Sequence, residues 1–287
     1  MPSPHHLEVS GHITILPGKG GLQEIQIHSD RSTASIYLHG AHVTHFQKNG
    51  EAPLLFMSEA SEFRNNHPIR GGVPVIFPWF GPRVDSAIHG TARVAEWELL
   101  ETKVLPDSSI LLHFRLPSND PCKVDYRVTV GSSLTLELTV SNTGGANATF
   151  ENCLHSYFQV GDIRQVGITG LLGTRYHDML AAEDRIETDE IIRITSEVDR
   201  TYQNTASTVE IHDPTLHRTI RVRKSNSKST VLWNPWIAKS QRMPDFGDDE
   251  YFQMLCVESG NIAENAITLA PGESSSMIVE IDSVPIP

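Results

Sequence analysis

The sequence predicts a mainly β protein built from antiparallel strands, with at most a few helical turns. Three observations carry that reading. Apolar and polar residues alternate with a period of two from end to end, turn-forming clusters separate the alternating runs, and helical periodicity is weak throughout. Many short strands imply a sandwich or a barrel.

Gln23 to Ile27 is the first alternating run, and Ile110 to Leu116 and Val124 to Val130 repeat it. The plainest case follows: Leu134, Leu136, Leu138 and Val140 alternate with Thr135, Glu137 and Thr139, as a half-buried strand requires. Ser141-Asn142-Thr143-Gly144-Gly145 then supplies a turn. Ala181 to Glu190 holds good helix formers without a sustained apolar stripe, which makes it the best of few helix candidates. Thr219 to Arg223 and Met277 to Ile281 complete the series. Between Phe63 and Arg93, Pro68, Pro74, Pro78 and Pro82 interrupt any regular strand, and long ordered connections of that kind are often functional. Neither a linker nor a fixed-period repeat divides the chain, so one domain over residues 1–287 is expected.

The formal net charge of -12, from 23 Lys+Arg against 35 Asp+Glu, opposes extended binding to nucleic acid or an anionic membrane, because either needs a broad basic face. The start MPSPHHLEVS lacks the basic and apolar pattern of a signal peptide, and no apolar run approaches the ~18 residues of a membrane span, so a soluble cytoplasmic protein is expected. Cys122, Cys153 and Cys256 lie in or beside apolar strand-like segments without paired metal-ligand spacing, which reads as buried reduced thiols. No heptad pattern points to assembly; a monomer is compatible with the acidic surface, and the oligomeric state is not set by the sequence.

Four segments concentrate chemistry. From Glu62 to Arg93 the chain carries four arginines (Arg64, Arg70, Arg83 and Arg93) and no lysine, and guanidinium groups bind phosphate or carboxylate bidentately. Gly71-Gly72 would allow a close backbone approach to a ligand. The plainer alternative is that these arginines pair with surplus carboxylates, and spacing does not choose between the two. His155, in Asn152-Cys153-Leu154-His155-Ser156-Tyr157-Phe158, ends an apolar strand beside aromatic rings, a place ordinarily taken by a hydrogen-bonded core histidine. Glu258 follows the apolar run Met254 to Val257 and precedes a turn; partly buried, it becomes a usable base near neutral pH. Trp233-Asn234-Pro235-Trp236 offers large amphipathic rings that cover sugar faces as well as they fill cores. His39, His42 and His45 look like a metal cluster on paper, but in a strand the middle ring faces away from the others, so no metal site is expected.

Taken together, Pro68-Ile69-Arg70-Gly71-Gly72-Val73-Pro74, Phe77-Pro78-Trp79-Phe80-Gly81, His89-Gly90-Thr91-Ala92-Arg93, Leu154-His155-Ser156-Tyr157-Phe158, Trp233-Asn234-Pro235-Trp236 and Cys256-Val257-Glu258 resemble, in order across most of the chain, the aldose 1-epimerase superfamily and its glucose-6-phosphate 1-epimerase branch. The resemblance implies a large antiparallel β-sandwich, few short helices, and a mutarotase that interconverts the α and β anomers of a hexose 6-phosphate. It also implies His155 and Glu258 as the catalytic acid and base, Arg70 and Arg93 at the anionic substrate, Asp199 as a polar sugar contact, and His89 and Trp236 among the substrate-binding residues. Ile88 departs from the pattern where related members carry glutamine, and so does Ser259, where proline is common and only a local turn should change.

Mutarotation removes the proton from the C1 hydroxyl while the ring oxygen gains one, so an acid and a base must flank the anomeric carbon. With reference pKa values of about 4.3 for Glu and 6.5 for His, the expectation is a carboxylate beside an imidazolium. Neither a redox cofactor nor a metal is required, and the expected partner is a small sugar phosphate. Two rivals stand beside this reading: a carbohydrate hydrolase using Asp199 and Glu258 as paired carboxylates, and a sugar-binding module without chemistry.

Overall fold

The computed structural model describes residues 7–117 and 121–286; residues 1–6 of the amino-terminal stretch discussed above lie outside them. A nine-stranded antiparallel sheet holds most of the strands legible by alternation. Its order is Ile192–Arg193, Gly167–Thr169, Val209–Asp213, Arg218–Ser225, Ser274–Pro285, Leu134–Asn142, Cys122–Val130, Ile110–Leu116 and Glu98–Val104. The Leu134–Asn142 strand alternates buried and half-buried residues along its whole length, as its leucine and threonine pattern requires. Gln23–His28 falls instead in a four-stranded sheet with Ile13–Pro17, Ser32–Tyr37 and His42–Lys48.

An eight-stranded sheet forms the second large layer. It runs Glu183–Ile186, Arg175–Asp178, Val198–Gln203, Ser229–Asn234, Met254–Asn261, Asn152–Leu154 and Val75–Ile76, with Tyr157–Gln159 also paired to Met254–Asn261. Its two central strands, Ser229–Asn234 and Met254–Asn261, are buried at every residue. Strands covered on both faces have no need to alternate. Leu154, Phe158, Leu232, Leu255 and Val257 point one way and join the inner faces of the other sheets in one continuous core with Trp97, Phe114 and Tyr126. The residues between them point the other way and form a separate buried cluster with Phe56, Ile76 and Phe246.

The helix candidate at Ala181 to Glu190 does not form. Glu183–Ile186 is an exposed edge strand paired with Arg175–Asp178 through a turn in which Ala182 takes a left-handed φ of 55°. Without an apolar stripe to bury, those residues gain nothing from helical packing. The α-helix among the described residues is short, Trp236–Ser240, and none is long and apolar enough to cross a membrane.

Candidate active site

Strand register assembles the candidate site. Leu154 pairs with Ser259 and Tyr157 with Cys256, so the same antiparallel line sets His155 opposite Glu258 across the break between the two short strands. Opposed residues hold their Cβ atoms roughly 4.5–5.5 Å apart, within reach of a direct side-chain contact. His155 Nε2 lies 3.2 Å from Glu258 Oε1. Period two then adds neighbours on the same face: Cys153 and Tyr157 flank His155, and Cys256 flanks Glu258. The Cys153 thiol donates to Glu258 Oε2 at 3.5 Å, and the Tyr157 ring stacks on the imidazole at 4.7 Å and 8°. Trp233, in register with Cys256, meets His155 edge-on at 6.3 Å.

Glu258 is 1% exposed and His155 7%, and that burial decides their charges. Desolvation pushes the glutamate pKa well above the usual carboxylate range, and the charge of Asp199 adds to it. Burial pushes the histidine well below its ordinary value, helped by His89, Arg70 and Arg93. Both shifts run against the expected carboxylate and imidazolium and favour a neutral pair, with the shared proton on the glutamate side of the 3.2 Å contact. Charge separation in so dry a place would have to overcome two desolvation penalties as well as the arginine field.

Arg70 and Arg93 stand together beyond Tyr157. The bend that delivers Arg70 needs two glycines, with φ of 115° at Gly71 and 61° at Gly72. A Cβ at Gly72 would lie 2.3 Å from the Val43 carbonyl oxygen, and one at Gly71 2.5 Å from that of Phe56. What these glycines admit is thus the chain's own backbone rather than a ligand. Arg70 donates through Nε and Nη2 to Asp245 at 3.1 and 3.0 Å, and through Nη1 to the Tyr157 hydroxyl at 3.0 Å. Burial opposes its charge, but Tyr157 and Asp245 outweigh burial and hold its pKa above the usual value.

Arg93 donates to the Ile88 carbonyl at 2.6 Å, and its buried Nε has no partner among the described residues. No carboxylate there forms an ion pair with it either. Burial, with the like charge of Arg70 behind it, lowers its pKa to about 10, which still leaves it cationic at neutral pH. His89 is brought down to about 3 by burial, then by Arg93 and Arg70, so its ring is neutral. The Gly81 amide donates to its Nδ1 at 3.1 Å, which leaves the ring proton on Nε2. Asp199 sits opposite Trp233 in register, on the site face, 3.8 Å from Lys239 Nζ.

Comparison with known proteins agrees with this architecture. The family profile described as Aldose 1-epimerase matches residues 23–282. The chain belongs to the aldose 1-epimerase family. It is 34% identical over 283 residues to a Cenchrus ciliaris protein named "Putative glucose-6-phosphate 1-epimerase", covering 92% of this chain and 86% of the relative. A Salmonella typhimurium protein of the same name is 36% identical over 237 residues, 79% of each chain. A crystal structure described as "a putative mutarotase" from Salmonella typhimurium superposes with a TM-score of 0.89 at 30% identity, over 97% of this chain and 95% of that one. The chain is therefore a β-sandwich isomerase of sugars, an aldose 1-epimerase by family.

Within this epimerase, Trp236 stands apart from the cluster that the other sequence-derived residues form. Its ring packs on Tyr251 at 5.3 Å, and the tryptophan that meets His155 is Trp233. Ser259 lies inside the Met254–Asn261 strand, paired with Leu154 and Thr230, so no turn follows Glu258 directly. Ile88 faces solvent and contributes its carbonyl to Arg93. Tyr157, Cys153 and Trp233 join the site although the sequence assigns none of them an individual part in the chemistry, and counting by twos from His155 reaches the first two. Asp245 had no signal at all, being brought to Arg70 by folding alone.

Among the described residues one cluster brings three metal-ligating donor atoms together. His155, Cys256 and Glu258 offer donor atoms within 4.8 Å of one another. Burial, however, holds the Cys256 thiol pKa far up, so it keeps its proton, and the Glu258 oxygens are already engaged by His155 and Cys153. His39, His42 and His45 each bond a different group: the His67 carbonyl, the Gly71 carbonyl and the Thr33 hydroxyl.

Proposed function

We propose that this epimerase interconverts the anomers of a hexose 6-phosphate, glucose 6-phosphate being favoured, with His155 and Glu258 as the acid and base and Arg70 and Arg93 holding the phosphate. The observation that carries the reading is a buried histidine–glutamate contact of 3.2 Å beside two guanidinium groups, one of which lacks a carboxylate partner among the described residues. A 6-phosphate dianion between the arginines offsets the part of the opposition to a charged His155 that the two guanidinium groups add to burial. Binding therefore draws the shared proton from Glu258 to His155.

Glu258 then accepts the C1 hydroxyl proton as the ring bond breaks, and His155 gives its proton to the ring oxygen. The products are an open-chain aldehyde, a protonated Glu258 and a neutral His155. This is the same protonation as the resting pair, so the dry site is at ease with the intermediate. Rotation about C1–C2 and the reverse proton transfers close the other anomer, and no proton is consumed. His89, with its proton on Nε2, and Asp199 act as a hydrogen-bond donor and acceptor for sugar hydroxyls.

The test is the polarimetric relaxation of freshly dissolved α-glucose 6-phosphate, with α-glucose as control. His155→Ala and Glu258→Gln should each lose about 100-fold or more of the acceleration. Arg70→Ala should raise KM for the phosphate more than it lowers kcat. No acceleration of either sugar by the native protein sinks the proposal. Equal acceleration of glucose and its phosphate removes the arginines from it.

A further inference from the structure

Tyr157 has no part in the proton transfers above, yet it touches both ends of the site. Its side chain is 1% exposed, and its hydroxyl accepts the Arg70 Nη1 hydrogen at 3.0 Å. Its ring lies parallel to the His155 imidazole at 4.7 Å and 8°, with Trp233 edge-on at 6.0 Å behind it. The backbone is fixed as firmly. Tyr157 N–H donates to the Gly72 carbonyl at 2.9 Å, and its own carbonyl accepts from Phe56 at 3.0 Å. One rigid side chain thus spans from the guanidinium to the imidazole.

We infer that Tyr157 is a positioning residue that sets the distance between the anion clamp and the acid/base pair, its hydroxyl orienting Arg70 and its ring fixing the plane of His155. The two duties are separable because they use different atoms. Asp245 holds Arg70 along its Nε and Nη2 edge, and the tyrosine hydroxyl takes the Nη1 hydrogen on the remaining edge. The imidazole Nδ1 is buried without a hydrogen-bond partner among the described residues. Its orientation therefore rests on the Glu258 contact and on the stacked ring. The inference rests on the mutarotase reading for its kinetic consequences, though not for its structural ones.

Two variants separate the duties. Tyr157→Phe keeps the ring and loses only the oxygen, so the protein should fold. It should raise KM for glucose 6-phosphate roughly tenfold, keep kcat, leave unphosphorylated glucose unaffected, and weaken inorganic phosphate binding in calorimetry to a similar degree. Tyr157→Leu removes the aromatic plate. It should lower kcat for both sugars about tenfold or more and move the His155 Hε1 proton resonance downfield, out of the ring current, a shift Tyr157→Phe should not show.

The inference is overturned if Tyr157→Phe leaves phosphate binding unchanged, or if Tyr157→Leu leaves the His155 resonance in place. Should the native protein accelerate neither sugar, the mutarotase reading fails, while the phosphate titration and the His155 resonance still decide the role of Tyr157.

Discussion

Lys224 shows how a half-buried cation is held by neutral oxygens. Its ammonium donates to the Ser229 carbonyl at 2.8 Å and the Thr230 hydroxyl at 2.7 Å, with no carboxylate ion pair among the described residues. Burial lowers its pKa from 10.5 to about 7. Between those values the unfolded chain holds a proton that the folded protein lacks, so this group makes stability rise with pH over that window. Its full penalty applies below about pH 7. Lys224→Met should flatten that rise, read as the difference in Tm between variant and native protein from pH 7 to 10. A difference that stays constant across the range would show that the ammonium is not desolvated as described.

At the scale of elements, the site depends on backbone that only glycine can supply. Gly72 combines a φ of 61° with a neighbouring carbonyl 2.3 Å from where a Cβ would sit. Gly72→Ala should cost about 1–2 kcal/mol from the left-handed conformation alone, with the clash adding to it, and lower Tm by several degrees. Because the same bend delivers Arg70, phosphate affinity should fall with it. A variant as stable and as tight-binding as the native protein would mean the bend relaxes without consequence.

Legibility in the sequence also divides by element. The strands found by alternation, such as Ile110–Leu116 and Leu134–Asn142, lie in the supporting sheet, where one face is covered and the other half-open. The site strands Ser229–Asn234 and Met254–Asn261 are buried on both faces, so hydropathy marks them as apolar runs without saying which side each residue takes. That is why the motif around Trp233 and Trp236 was legible while which of its rings meets His155 was not. His155 and Glu258 were recognisable by resemblance, but the pull of burial towards a neutral pair was not, because burial is a property of the folded whole. Asp245 reaches Arg70 across 175 residues, a pairing that no local pattern encodes.

For the whole molecule, the inner faces of three sheets merge into one buried cluster that includes Ile36, Phe114, Leu136 and Leu255. With no interface to yield first, near- and far-ultraviolet circular dichroism should report one coincident thermal transition, as a single domain requires. Two separated transitions would divide the chain. The borders of the large sheets are the remaining structural risk, since unpaired strand edges invite copies to add on. Here each border is either only two residues long, as at Val75–Ile76 and Ile192–Arg193, or studded with charge, as with Glu183, Asp184 and Arg185 on one sheet and Glu98, Glu101 and Lys103 on the other. Crowded solutions of this protein should therefore resist edge-to-edge aggregation, with the surplus of negative charge keeping molecules apart before their borders can meet.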